Sequence, residues 1–270
     1  MSRLVICADD FAFTAGVSRT IAELTHIGKL NAISCMAQSP RWQGDAELLA
    51  DFGHPVEIGL HLVLTDEPVL GPSNWPSARR LARMAILRRL PAREIATAVA
   101  AQFDRFEDAL GRPPAFVDGH QHCHVLPGIR NIVITETAKR APMAWIRTCE
   151  DRLSRIVPRP FRMKAISNSL GSAGIAAATQ RAGLRCNLSF AGLYDFRDDF
   201  AEQFAGFLAH GSEFHLVICH PGSGDRAEDA ISAARVREAA VLRALPVTEL
   251  AASNGLIFAA MPQSGRFTQA

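Results

Sequence analysis

The chain has 270 residues, of which 48% are hydrophobic and 21% charged, so it can bury the core of one large domain or of two small ones. Its 29 basic and 27 acidic residues give a formal net charge of +2, which argues against a protein built to bind nucleic acid. Arg3, Asp9 and Asp10 interrupt the first apolar stretch, and no uncharged run is long enough to span a bilayer. We therefore expect a cytoplasmic protein with no secretory leader and no stable membrane insertion.

Short apolar runs alternate with longer helical patterns along the chain, which is typical of repeated βα units. Strands are predicted near residues 3–9, 31–38, 57–64, 114–119, 145–149, 184–189, 214–220 and 255–261. Helices are predicted near residues 14–28, 44–52, 94–110, 128–141, 171–182, 196–209 and 234–244. This order indicates an α/β fold in which residues 1–270 form a single (βα) barrel domain, which can be complete, seven-stranded or distorted.

Residues 66–91 are rich in Pro, Trp and Arg and form a stretch too long for an ordinary βα loop. We predict that they form an insertion, a lid over the active face. A membrane-surface role for the Arg-rich part, residues 78–93, is disfavoured because Leu81 and Met84 face away from Ile86 and Leu90 on a helical wheel. A solvated, mobile lid is the favoured interpretation.

Six cysteines are spread along the chain without a CxxC pair: Cys7, Cys35, Cys123, Cys149, Cys186 and Cys219. Five of the six fall in apolar, strand-like runs, where cysteine behaves as a small hydrophobic residue. We expect reduced thiols in the core rather than disulfides.

Asp9 and Asp10 end the first apolar run, RLVICADDF, and three histidine-bearing runs end in the same way. Catalytic groups of parallel α/β folds come from the carboxyl ends of strands, so these four ends are expected to converge on one site. Adjacent residues at a strand end point in different directions, so one carboxylate can bind a metal ion while its neighbour acts as a base toward water. The alternative is an N-cap for the following helix, where Asp is favoured.

His61 lies in IGLHLVLT, on one face of the predicted strand with Gly59 and Val63. A histidine on an inward face must be hydrogen-bonded or bound to a metal, and a satisfied core histidine is the alternative interpretation.

The segment DGHQHCHVLP is the strongest local signal in the chain. An extended backbone would place the side chains of Asp118, His120, His122 and His124 on one face. We expect one of these histidines to be a metal ligand. The other residues are candidates for contacts to the ligands, for substrate binding or for proton transfer.

His220 ends the run FHLVICH, and Pro221 and Gly222 follow it. This places the imidazole at the rim of the site. Because the ordinary pKa of histidine is near 6.5, His220 suits a general acid that protonates a leaving group. A turn histidine without a chemical role is the alternative.

Five segments, in this order and spacing, resemble the YdjC-like carbohydrate deacetylases: ADDF, GLHLVL, DGHQHCHVLP, AGLYDF and CHPG. The resemblance covers most of the chain and implies a barrel of the NodB-like deacetylase type. It implies that Asp10, His61 and His120 bind one divalent ion and that Asp9 is the general base. Where the family commonly has ADDFG, this chain has Ala12, so the turn is expected to differ slightly there.

That family includes chitooligosaccharide deacetylases and a hopanoid-associated branch. The resemblance therefore implies removal of the acetyl group from an N-acetylglucosamine-type sugar, either a free oligosaccharide or a hopanoid-linked glycolipid. Two histidine ligands favour Zn²⁺, whereas family members are often described with Mg²⁺, and both ions stay open. Two other functions are weighed: another metal-dependent hydrolase such as a phosphoesterase, and a catalytically silent sugar-binding protein on the same scaffold. A homodimer is also left open.

Overall fold

The computed structural model describes residues 2–71, 73–158, 161–197, 199–209 and 211–261. Its centre is a curled parallel sheet with strand order β6-β5-β4-β3-β2-β1-β8-β7, and β9 pairs with the start of β1. The strands are β1 (Ser2–Phe11), β2 (Ala32–Cys35), β3 (Glu57–Leu62), β4 (Phe116–Gly119), β5 (Trp145–Ile146), β6 (Arg185–Cys186), β7 (Ser189–Ala191), β8 (Phe214–Cys219) and β9 (Leu256–Phe258).

Helices cover the outside of this sheet. They are α1 (Ala15–His26), α2 (Trp42–Asp45), α3 (Ala78–Ile86), α4 (Ala92–Leu110), α5 (Ile129–Arg140), α6 (Leu153–Ile156), α7 (Arg162–Gly171), α8 (Ile175–Arg181), α9 (Phe200–Leu208), α10 (Ser232–Ala244) and α11 (Val247–Ser253). Short 3-10 turns occur at Ala46–Leu49, Pro68–Leu70 and His120–Val125. None of the helices in the described ranges is both long and apolar enough to cross a bilayer.

The predicted parallel α/β barrel is confirmed in distorted form. The ladder ends at β6 on one edge and at β7 on the other, and the chain passes from one edge to the other in two residues. The strand predicted over 184–189 is therefore two short strands. Asn187 accounts for the break, because its side chain accepts from Thr148 N at 2.7 Å and donates to Thr148 O at 2.9 Å.

The side chains of β1 alternate between two layers. Leu4 and Ile6 pack toward the helices, whereas Val5 and Cys7 pack inside the curled sheet against Trp145 and its neighbours. The interior is aromatic near the amino ends of the strands, where the Trp145 ring stacks on Phe116 with centroids 4.4 Å apart. Because this end of the sheet is filled by aromatic rings, the polar residues Asp9 and Asp10 lie at the opposite end, near the carboxyl end of β1.

The end of β1 is irregular, and that irregularity separates the two aspartates. Its register with β2 shifts between Ala8 and Phe11. Asp10 and Ala12 adopt φ angles of 69° and 71°, a left-handed conformation that is unfavourable for alanine. The helix cap expected as an alternative role for the aspartates belongs instead to Thr14, whose side chain accepts from Val17 N.

The helices α3, α6 and α11 and most of α7 were not predicted from the sequence pattern. In α3 the buried residues are Leu81 and Ala85, whereas the Ile86 side chain is 73% exposed. All six cysteines are buried and free, as expected.

Candidate active site

The carboxyl ends of β1, β3, β4 and β8 meet at a cavity of about 800 Å³. This is the predicted convergence of the four motifs. The cavity is lined by Asp9, Asp10, His61, His120, His122 and His220. Residues of α7 and α10 and of the 66–91 segment complete its walls.

Asp10, His61 and His120 form a compact cluster at the floor of the cavity. The Asp10 Oδ1 atom lies 3.3 Å from His61 Nε2 and 3.0 Å from His120 Nδ1. One donor atom from each of the three residues lies within 4.8 Å of the others. One carboxylate and two imidazoles are a donor set that suits Zn²⁺ or another transition metal and leaves coordination positions open. The cluster therefore fits a catalytic metal centre.

His61 is held from behind by a carboxylate. Its Nδ1 donates to Asp118 Oδ1 at 2.6 Å, and Ser34 Oγ donates to the same oxygen at 2.5 Å. Burial opposes the charged form of His61, but the carboxylates of Asp118 and Asp9 raise the pKa of His61 to about 10. Asp118 is fully buried and contacts His61, so it orients this imidazole with Nε2 toward Asp10.

Asp9 forms a bidentate ion pair with Arg147. Both guanidinium-to-carboxylate distances are 2.6 Å, and Arg147 Nη2 also lies 2.5 Å from Asp118 Oδ2. Burial raises the pKa of the Asp9 carboxyl, but the Arg147 guanidinium outweighs burial and holds that pKa well below its usual range. Asp9 is thus ionised, as a general base must be, and its orientation is set by Arg147.

Arg147 was not among the predicted site residues, although it lies at the end of a strand. Arg147 directly follows the short strand β5, as Asp9 and His61 belong to the ends of their strands. It is fully buried, and a buried arginine needs carboxylate partners.

Asp10 has a second partner that no strand motif indicated. Arg235 of α10 donates to Asp10 Oδ2 at 2.7 Å and to Asp229 Oδ2 at 2.5 Å. Burial raises the pKa of Asp10, but Arg235 and His120 hold it well below its usual range. Because Arg235 occupies Oδ2, the other oxygen of Asp10 faces the two histidines.

The predicted single face for His120, His122 and His124 is wrong. Residues His120–Val125 form a 3-10 turn in which Gln121 and His122 have φ angles of 51° and 57°. The turn brings Cys123 close to the end of β4, where a Cβ at Gly119 would lie 2.8 Å from Cys123 Sγ, so this position requires glycine. The chain thus leaves the sheet at Gly119, and the strand periodicity of two ends there.

The three histidines therefore face different surroundings. The His120 ring points to Asp10, and the His122 ring packs edge-on against Phe190 with centroids 5.7 Å apart. His124 is buried, and its Nε2 lies 3.0 Å from Arg147 O. Burial lowers the pKa of His122 and brings the pKa of His124 to about 4, so both are neutral.

His220 lies across the cavity from the His120 turn. Its Nε2 is 4.0 Å from Asp9 Oδ2, and its ring packs edge-on against Phe196. Its backbone N–H donates to Glu238, a buried carboxyl of α10 that also accepts from Tyr194. These contacts hold the imidazole in the wall with one edge toward Asp9.

A family model described as YdjC-like protein matches residues 3–253 of the chain. A carbohydrate deacetylase from Mus musculus is 33% identical over 139 residues, which cover 47% of this chain and 44% of that protein. A chitooligosaccharide deacetylase from Yersinia pestis (strain Pestoides F) is 32% identical over 136 residues, 48% of this chain and 53% of that protein. The chain spans about half the length of the curated relatives it matches.

A solved structure shares the fold over nearly all of the chain. It is a protein from Enterococcus faecalis V583 to which cellobiose-phosphate cleavage has been ascribed. The superposition covers 96% of this chain and 97% of that one, with a TM-score of 0.69 and 18% sequence identity. At this identity the likeness concerns the fold alone.

Proposed function

The chain belongs to the YdjC-like protein family, and we propose that it is a metal-dependent hydrolase that removes the acetyl group from an N-acetylglucosamine-type sugar. The observation that carries this proposal is the cluster of Asp10, His61 and His120 beside an ionised Asp9 and an inward-facing His220. Deacetylation of an amide needs an activated water, a positive charge near the carbonyl oxygen and a proton for the leaving amine. Asp9 suits activation of the water, His220 suits protonation of the amine, and an ion held by the cluster would supply the positive charge.

Asp10, His61 and His120 would hold the ion. A divalent ion bound there would supply Lewis-acid polarisation of the acetyl oxygen and would lower the pKa of water. The chain's own residues fix the ligands, since Arg235 holds Asp10 and Asp118 holds His61. Two imidazoles favour Zn²⁺ by intrinsic affinity, and Mg²⁺ is the alternative to test.

Asp9 would accept the proton of the attacking water on its carboxylate. Arg147 holds both oxygens of that carboxylate and keeps it ionised. His220 would then donate its proton to the amide nitrogen as the carbon–nitrogen bond breaks. The water oxygen stays with the acetyl carbon, so the products are acetate and the free amine. The 4.0 Å separation of His220 Nε2 and Asp9 Oδ2 supports this pairing of roles, because both groups can then reach the same bound substrate.

The walls of the cavity suit a carbohydrate. Phe13 and Phe196 contribute aromatic side chains to its lining, and Lys164, Asn168 and the carboxylates supply hydrogen-bonding groups. A cavity of about 800 Å³ is within the usual range for small-ligand sites. A free chitooligosaccharide and a glycolipid such as a hopanoid-linked amino sugar are the two substrate classes that we propose to compare.

The structure contains a second cluster of polar side chains, and its contacts argue against a two-metal phosphoesterase. Cys7, Asp9 and Asp118 also bring donor atoms within 4.8 Å of one another. However, the Arg147 guanidinium contacts all three, so a protein cation already neutralises the carboxylates there. One ion at the Asp10 cluster is the arrangement that these residues support.

Release of acetate tests the proposal. We expect acetate from N,N′-diacetylchitobiose or from an N-acetylglucosaminyl lipid, loss of release with a chelator, and recovery with Zn²⁺ or Mg²⁺. Binding of the sugar without acetate from either substrate, at any metal concentration, would instead identify a silent sugar-binding protein. Phosphate release from a sugar phosphate without acetate release would identify a phosphoesterase.

A further inference from the structure

His120 is held at both ring nitrogens. Its Nδ1 lies 3.0 Å from Asp10 Oδ1, within the candidate metal cluster. Its Nε2 points the opposite way and lies 3.2 Å from Glu67 Oε2. If Nδ1 offers its lone pair to an ion, Nε2 carries the hydrogen and donates it to the Glu67 carboxylate.

The two candidate histidine ligands therefore have the same kind of support. His61 is backed by Asp118, whose side chain is fully buried in the sheet. His120 is backed by Glu67, whose side chain is 15% exposed and belongs to the 66–91 segment. A carboxylate behind a ligating histidine fixes the ring and its tautomer and strengthens the ligand. The carboxylate that contacts His61 thus belongs to the barrel, whereas the carboxylate that contacts His120 belongs to a surface segment.

The segment that carries Glu67 also forms part of the cavity. Asp66, Glu67 and Pro68 line it. The segment folds back on itself through Asp66 N, which donates to Pro76 O at 3.0 Å, and its helix α3 packs against the His120–Val125 turn. Glu67 consequently joins this cavity wall to the ligand cluster.

We propose that Glu67 is a positioning residue that orients His120 for the metal ion and couples metal binding to the docked position of the turn that follows it, Pro68–Leu70, a role that rests on the proposed metal-dependent function. The coupling is reciprocal by thermodynamic linkage. If the docked Glu67 strengthens metal binding, a bound ion must stabilise the docked segment by the same factor. A bound ion would thereby stabilise the part of the cavity wall that contacts the substrate.

Zn²⁺ binding to the metal-free protein tests the first half of the proposal. Glu67→Ala should weaken Zn²⁺ binding about 10- to 100-fold, the usual effect of removing a carboxylate behind a ligating histidine. Glu67→Gln should lose less, because its amide oxygen still accepts from His120 Nε2. Asp66→Ala is the matched control, since Asp66 lines the same cavity and its carboxylate accepts a hydrogen bond from Ser73 Oγ. Circular dichroism confirms that each variant is folded.

The outcomes separate this role from the proposed function. If the wild-type chain does not bind Zn²⁺ or Mg²⁺, the proposed function fails. If the wild type binds and Glu67→Ala binds equally well, only the role of Glu67 is refuted. Equal losses of Zn²⁺ affinity in Glu67→Ala and Asp66→Ala would also refute this role, because any change in this cavity wall would then have the same effect.

Amide hydrogen exchange tests the coupling. The amides of Leu70 and Gly71 donate to Glu67 O and Pro68 O, so they report on the docked turn. Zn²⁺ should slow their exchange in the wild type and should not slow it in Glu67→Ala measured at saturating Zn²⁺. Equal metal-induced protection in both proteins would overturn the coupling.

Discussion

Asp9 and Asp118 share one buried arginine, and substituting each of them in turn should separate base catalysis from metal binding. Both carboxylates contact Arg147, but only Asp9 lines the cavity, whereas Asp118 supports His61. Asp9→Asn removes the proton acceptor and leaves the ligand cluster intact. Because general base catalysis contributes about a hundred- to ten-thousand-fold, kcat should fall by that factor while metal content stays at that of the wild type.

The ion pair also sets the expected effect on stability. In Asp9→Asn, Arg147 keeps its ion pair with Asp118 and one acceptor oxygen at position 9. It loses one charge-assisted hydrogen bond, so the free energy of unfolding should fall by about 2 kcal/mol. Loss of both carboxylate partners of Arg147 would leave a buried unpaired charge and would cost about 3–5 kcal/mol.

Asp118→Asn is the matched control. It removes a charge from the same arginine but weakens the support of His61, so metal affinity should fall about 10- to 100-fold. Excess metal should restore much of its activity, and it should restore none in Asp9→Asn. Acetate release measured across a metal titration distinguishes the two variants. A loss smaller than about tenfold in Asp9→Asn at saturating metal would remove Asp9 from the role of base.

Three further predictions follow from individual side chains. His120→Ala should abolish Zn²⁺ binding in a calorimetric titration, whereas His124→Ala should retain it, and the reverse result would exchange their roles. His220→Ala should lower kcat/KM for the amide about a hundred- to ten-thousand-fold. The loss should be far smaller for an acetyl ester with an activated leaving group, because that group departs without a proton. Equal losses on the two substrates would make His220 a substrate-positioning residue. Burial raises the pKa of Glu57 from 4.5 to about 7, so the stability linked to its proton is complete below about pH 4.5 and is lost as pH rises through 7. Glu57→Gln should therefore gain up to about 3 kcal/mol relative to the wild type in urea unfolding between about pH 4 and pH 9, and a difference that does not vary with pH would contradict this.

The local sequence pattern was sufficient to predict the parallel fold and the convergence of the strand-end side chains on one cavity. Apolar runs of strand length, each ended by an acid or a histidine, mark the carboxyl ends of β1, β3 and β8, and such ends must meet at one edge of a parallel sheet. For this reason the proximity of Asp10, His61 and His220 could be predicted before any contact was known. Their roles as ligands and acid remain proposals.

The strand period failed where the chain left the sheet. At Gly119 the backbone turns, and from His120 onward the rule that alternate residues share a face no longer applies. Nothing in the sequence HQHCH distinguishes an extended segment from a 3-10 turn, and Cys123 of this turn forms its contact outside the segment, with Leu62 O at 3.4 Å. The split of the predicted strand at Asn187 has the same origin in a tertiary contact.

The sequence by itself determined which strands end in reactive side chains, because apolar periodicity is a local property that each strand carries along its own length. Only the tertiary structure decided which partners those side chains have. Arg147 meets Asp9 across 138 residues and Arg235 meets Asp10 across 225, and Glu67 reaches His120 from a different loop. Such pairs leave no periodic trace in the chain, since burial of a charge selects its partner by distance in space and not by distance along the sequence.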